Sequence, residues 1–250
     1  YPVTLKAGGL APGGKVLSLD GVSGYLLVDQ QIPQSNFLPA NNFTIELWIK
    51  TTESIAGILS STDYFGGPHD HSLFLFNGYL FAHNGIVPIS TLFPVNDGKW
   101  HHIAYVVQSG AGQKIYVDGA LASFPNNLEQ PGNTYHALYI GMCVDPNTIY
   151  GSPHVLFKGE MDNLRIWKEP RTLDDIRANM FLETPLSSTN LQYQFNFNGD
   201  LNAVAGNDAQ SQGSYAFTDP DYFLYSWTGS GAPTPSTSET QMTSVLAQSG

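Results

Sequence analysis

From its start to about residue 167 the chain is written in short apolar runs separated by Gly, Asn, Asp and Pro. "KVLSLDG" and "GYLLVD" read as two β segments around the turn Asp20-Gly21. In "NNFTIELWIKT" the alternation puts Ile45, Leu47 and Ile49 on one face and Trp48 on the other. "GILSS", "HSLFLFNGYLFAHNG", "KWHHIAYVV", "QKIYVDGAL", "HALYIGM" and "EMDNLRIWK" follow, many with apolar residues on both faces, as in strands inside a multilayered β domain. Asn77-Gly78 and Asp118-Gly119 are two-residue hairpin signals, because Asn, Asp and Gly tolerate positive φ. "QSGAGQ" predicts a longer turn between strands at 100 to 107 and 113 to 117.

One helix interrupts this pattern. In "RTLDDIRANM", Thr172 is placed to cap the free amides and Asp175 to complete a capping box, with Leu173, Ile176 and Met180 on one side. The prediction is a short amphipathic clasp on the β domain. "NLQYQFNFNGD" then alternates Leu191, Tyr193, Phe195 and Phe197, a late strand returning to the sheet. "TGSGAPTPSTSETQ" suits an extended linker, so the expected division is a β domain over 1–224 and a Ser/Thr/Pro-rich linker or tail over 225–250.

Composition narrows the partners. The 250 residues, 42% hydrophobic, suffice for one large all-β domain or two small ones. With 21 acidic against 10 basic residues, the formal charge of -11 repels a phosphate backbone, and no Lys/Arg cluster breaks that average, so nucleic acid is not an expected partner. Carboxylates gathered in loops attract a divalent cation; scattered over a surface they are simply solvated. Cys143 is the sole cysteine, which removes any internal disulfide framework and any cysteine-rich metal site. No run is long and apolar enough for a membrane span, so membrane insertion is not expected. "YPVTLKAGGL" lacks signal-peptide form, but a mature secreted protein has already lost its signal, so a cytoplasmic location does not follow. Asn42-Phe43-Thr44 matches the N-glycosylation acceptor pattern.

The order of "VLSLDGVSGYLLV", "FTIELWIKT", "DGKWHHIAYVV", "KIYVDGAL", "LYIGM", "FKGEMDNLRIWKEPRTLDDIRANM" and "LQYQFNF", over about residues 15 to 198, resembles the laminin G-like and pentraxin-like branch of the concanavalin A-like lectin/glucanase superfamily. The resemblance implies an all-β, concanavalin A-like jelly-roll sandwich of two antiparallel sheets with one short helix. It also implies calcium between two acidic loops, to which Asp63 or Asp70 and Asp145 loosely correspond. Cys143 and Val144 depart from the acidic pattern of a double-calcium site.

Several residues carry candidate chemistry. On a strand His101 and His102 point to opposite faces and cannot share one ligand, which favours packing or hydrogen bonding over catalysis or metal binding. In "SSTDYFGGPHDHS", Asp63 and Asp70 offer oxygens to calcium, and Tyr64 and Phe65 can stack on the apolar face of a sugar. His69 and His71 form an H-x-H pair that with Asp70 can hold zinc, or that simply belongs to a solvated connection. In "GMCVDPNTIYG", Asp145 and Asn147 supply further oxygens and Tyr150 a stacking ring. Asp20 and Asp162 are expected to fix turns or strand ends by hydrogen bonds, the alternative being a structural calcium. Cys143 reads as a small, partly buried residue rather than a reactive thiolate.

Catalysis is poorly supported. Retaining glycoside hydrolysis needs two carboxylates at about 5 to 5.5 Å, and the chain offers only Glu46, and Glu160 with Asp162, in place of a run of acids along one strand. Dinucleotide, phosphate-loop, zinc-protease and nucleophile-elbow motifs are absent. The expectation is therefore no enzyme but a calcium-assisted, lectin-like glycan-binding or adhesion module, secreted or at the cell surface. The alternatives are a protein-binding or architectural module of an extracellular multidomain protein, and a glycoside hydrolase.

Overall fold

A computed structural model of the chain describes residues 5–7, 14–29, 42–62, 71–84, 88–124, 137–144, 154–220, 224–226 and 234–236. Two large antiparallel sheets face each other, as the apolar pattern predicts. The eight-stranded sheet runs, in spatial order, Ala120–Leu121, Gly112–Val117, Trp100–Gln108, Asn42–Lys50, Lys158–Trp167, Val16–Asp20 and Tyr215–Thr218, with Leu191–Phe195 also paired to Lys158–Trp167. The seven-stranded sheet runs Gln210–Gln212, Tyr25–Asp29, Ala137–Ile140, Ile55–Thr62, His71–Phe76, Tyr79–Asn84 and Ile89–Pro94. Met142–Val144 and His154–Leu156 form a separate two-stranded ribbon, and Leu5–Ala7, Leu224–Ser226 and Thr234–Ser236 a small third sheet.

Alternation explains the sandwich. Phe43, Ile45, Leu47 and Ile49 from one sheet meet Leu73, Leu75, Leu80 and Ala82 from the other in a single buried core. Ile103, Tyr105 and Val107 join it from the strand that begins at Trp100. The late strand behaves as its pattern predicts, delivering Tyr193 and Phe195, with Phe197 just beyond, to the same core. At Asn77-Gly78 and Asp118-Gly119 all four residues have positive φ, the geometry that a two-residue hairpin needs to match strand twist.

The outer face of the eight-stranded sheet is not left to water. The helix Leu173–Asn179 starts at Thr172, whose side chain and that of Asp175 complete the capping box. Ile176 packs on Ala104, Val106 and Tyr116, and Met180 packs on Val16, Trp48 and Trp100. Trp48 Nε1 donates to the Met180 carbonyl at 2.9 Å, and Arg171 lies 4.2 Å over the Trp167 ring. This clasp closes one face of the molecule, and the seven-stranded sheet supplies the other.

Candidate functional site

The outer face of the seven-stranded sheet is assembled from residues that alternate with the core. Strand register places Gln210, Leu27, Tyr139, Ser60, Ser72 and His83 side by side in one row across six strands. A neighbouring row contains Gly57, Phe74, Phe81 and Ser90. The ribbon crosses this face. Ser60 Oγ donates to the Met142 carbonyl at 3.1 Å, and Gly57 leaves no room for even a methyl group beneath Cys143 and Val155. To one side of it the half-buried rings of Tyr25 and Tyr139 lie 6.0 Å apart. On another part of the face Phe74 and Phe81 stack at 5.5 Å and 7°.

Both candidate loops are carried by this part of the fold. Residues 63–70 join Thr62 to His71, next to the paired Ser61 and His71, and residues 145–153 join the paired Val144 and His154 of the ribbon. Asp63, Tyr64, Phe65, His69, Asp70, Asp145, Asn147 and Tyr150 lie outside the described residues. His71 is described, and it faces inward: it is 1% exposed, with its ring 5.2 Å from that of Phe43. Burial, with a smaller contribution from His83, lowers its pKa to about 4, so the imidazole is neutral at physiological pH. Among the described residues no group of three or more His, Cys, Asp or Glu side chains is placed to hold a metal ion. Cys143 is buried in the ribbon.

The adjacent histidines do point to opposite faces. His102 turns outward beneath the clasp, its ring 5.3 Å from Trp48 and its Nε2 3.5 Å from Glu46 Oε2. His101 braces two turns: Nδ1 lies 2.8 Å from Asp118 Oδ2, and Nε2 lies 3.1 Å from Asp97 Oδ1. Carboxylates only accept, so the imidazolium, with both nitrogens donating, is the form that satisfies both contacts. Burial opposes that charge, but the hydrogen bond and charge of Asp118, and then those of Asp97, outweigh it and raise the pKa above 6.5. A raised folded-state pKa stabilises the fold fully below the unfolded value and loses that contribution as pH climbs through the folded value. The advantage of wild type over His101→Gln in urea unfolding is therefore expected to be larger at about pH 5.5 than at about pH 8.5. An advantage that does not change with pH would mean that the bracing is independent of the charge.

Three other candidate acids, Asp20, Glu160 and Asp162, are engaged or enclosed by the fold. Asp20 accepts from the amides of Val22, Ser23 and Gly24, and those bonds, Ser23 first, lower its pKa to about 2. This is the turn-fixing role that its sequence position predicts. Glu160 accepts the Thr218 hydroxyl at 3.1 Å and pairs with Lys50 at 3.2 Å. Asp162 is 4% exposed, and burial raises its pKa well above the usual carboxylate range. Asn42 is exposed at its strand end, accepting from the Ser109 amide at 3.2 Å, while the Thr44 hydroxyl is engaged by Glu169 and Arg171.

Two facing antiparallel sheets, one clasped by a helix and one crossed by a two-stranded ribbon, define a concanavalin A-like jelly roll. The sequence profile of the Concanavalin A-like lectin/glucanases superfamily matches residues 20–177, and the chain belongs to that family. It is 28% identical over 156 residues to the Rattus norvegicus "Sushi, von Willebrand factor type A, EGF and pentraxin domain-containing protein 1". That match covers 60% of this chain and 4% of the rat protein, and the Mus musculus counterpart matches to the same extent. Among solved structures, a proposed carbohydrate-binding protein from Bacteroides ovatus has a TM-score of 0.62 at 18% identity, covering 83% of this chain and 61% of that one. The heptameric SAP-like pentraxin from Limulus polyphemus has a TM-score of 0.56 at 15% identity, covering 82% and 94%. At those identities the likeness is one of fold.

Proposed function

We propose that the chain is a non-enzymatic recognition module that binds glycans outside the cell, assisted by calcium held at Asp63, Asp70 and Asp145. The observation that carries this reading is the outer face of the seven-stranded sheet, where the half-buried rings of Tyr25, Tyr139 and Phe81 lie together with half-buried His83 and Ser90. Rings bury the apolar face of a sugar while hydroxyl and imidazole groups receive its oxygens. The family contains lectins as well as glucanases, and the carbohydrate-binding and pentraxin designations of the similar proteins agree with recognition. Glu160, tied to Lys50 and Thr218, and the sealed Asp162 favour binding over hydrolysis.

A glycan array with and without calcium tests the reading, with the Asp63→Asn/Asp145→Asn variant as comparison. At least one glycan whose binding requires calcium and is lost in the folded variant is expected. If every bound glycan were indifferent to both, calcium and these loops would leave the reading. Absence of glycan binding would sink the reading itself and favour a protein partner. For that alternative a different surface speaks: Leu92, Phe93, Leu121 and Phe124 are 52%, 45%, 47% and 76% exposed, and the Leu92 amide bonds the Ala122 carbonyl, bringing the two sheet edges together.

A further inference from the structure

We infer a second, calcium-independent subsite for an uncharged polysaccharide at the end of the seven-stranded sheet farthest from the 63–70 connection, formed by Phe76, Tyr79 and Phe81. The inference rests on the glycan-binding reading above but places contact on the sheet itself. Five residues of strand separate His71, where that connection ends, from Phe76, which is about 17 Å of extended chain.

The platform follows from register. Phe76 pairs with Tyr79 across the Asn77-Gly78 turn, Phe74 pairs with Phe81, and Ile55 pairs with Phe76 from the neighbouring strand. Phe81 is fixed on two sides, stacked on Phe74 at 5.5 Å and meeting Phe76 edge-on at 6.3 Å and 74°. Beneath them Leu73, Leu75, Leu80 and Ala82 lie in the main core, so the rings stand on rigid backbone. Tyr79 and Ile55 nevertheless remain 38% and 41% exposed. Rings already held in place lose little freedom when a ligand covers them, so most of the stacking energy appears as affinity.

Charge selects the occupant. Ile55–Thr62, His71–Phe76, Tyr79–Asn84 and Ile89–Pro94 contain no Asp, Glu, Lys or Arg, in a chain whose formal charge is -11. An anionic polymer meets no cation here and is repelled by the rest of the molecule, and a cationic one finds no carboxylate on these strands. The turn is bordered by neutral polar groups, exposed Ser54 and Asn77 and half-buried Asn96, with Gly78 bonded to Ser54 and to Val95, and the charges next to them are paired, Glu53 with Lys158 and Asp97 with Lys99. Aromatic floor, amide and hydroxyl groups at the turn and strands without charged residues match a chain of neutral sugars, each with an apolar C–H face and a rim of hydroxyls.

Affinity electrophoresis in gels containing neutral β-glucan, xylan or galactomannan, with alginate as the acidic comparator, run in parallel with calcium and with a calcium chelator, tests this. Wild type is expected to be retarded by at least one neutral polymer and not by alginate. Tyr79→Ala and Phe76→Ser should weaken that retardation at least about tenfold, Tyr79→Phe should retain it, and Asp63→Asn/Asp145→Asn should leave it unchanged. Thermal melts confirm that the variants are folded. If chelation or the Asp63→Asn/Asp145→Asn change abolishes retardation, or Tyr79→Ala and Phe76→Ser leave it intact, the platform is overturned while the glycan reading stands. If no glycan is bound with or without calcium, both fall; a protein ligand captured through Tyr79 would likewise overturn the platform's assignment to sugar.

Discussion

Arg165→Met is expected to lower the unfolding free energy by about 3 to 5 kcal/mol, because it removes one partner of a buried charged network and strands the others. Arg165 is 1% exposed. Its Nη1 donates to the Asn179 carbonyl at 3.1 Å, and its Nη2 donates to the carbonyls of Leu182 and Glu183, the latter at 3.0 Å. It sits directly across from Glu46, which is fully buried and, among the described residues, has His102 at 3.5 Å as its one other polar neighbour, without hydrogen-bond geometry. Methionine fills much of the volume but cannot donate to the three carbonyls, and it removes the positive charge that acts on Glu46 at longer range. Arg165→Lys keeps the charge but not the planar fork, so an intermediate loss is expected. Adding Glu46→Gln to Arg165→Met should restore part of the loss, since the buried charge that has lost the nearby guanidinium is then removed. Urea unfolding of the single and double variants measures this, and a loss below about 1 kcal/mol for Arg165→Met would mean that the clasp is held by apolar packing alone.

That network shows where sequence reading stops. Alternation located the core faces, and the hairpin dipeptides and capping box located the turns and helix, because each depends on residues adjacent in the chain. Alternation also puts Asp162 and Arg165, three residues apart, on opposite faces. The register slips between them, with Asn163 at φ 47°, and this bulge turns both toward the outer face. Glu46 reads only as an isolated acid and His102 as a packed or hydrogen-bonding residue, and the spacing of neither shows that the helix and the segment after it cover them. The aromatic platform was partly legible: "HSLFLFNGYLFAHNG" carries apolar residues on both faces of a hairpin, but only the register shows that Phe74 pairs with Phe81 and Phe76 with Tyr79, which gathers the four rings on the outer face. The candidate acidic loops were read from composition, which has no register to fix side-chain directions.

Gly57→Ala is expected to push the ribbon Met142–Val144/His154–Leu156 off the sheet, at a cost of about 1 to 3 kcal/mol. A Cβ at Gly57 would lie 2.1 Å from the Val155 carbonyl oxygen and 2.3 Å from the Cys143 amide nitrogen, both backbone atoms that cannot rotate away. The ribbon must lift, and the bond from Ser60 Oγ to the Met142 carbonyl, 3.1 Å long, lengthens with it. Ser60→Ala is the control: it removes that bond without a clash and should cost only about 1 kcal/mol. The functional consequence is selective, because residues 145–153 hang from the lifted ribbon, whereas Phe76, Tyr79 and Phe81 stand on strands fixed to the core. Gly57→Ala should therefore reduce calcium-dependent binding through Asp145 while leaving calcium-independent retardation near wild type. Calorimetric melts with the two binding assays measure both effects; equal loss of both activities would show that the ribbon and the aromatic platform serve one continuous site.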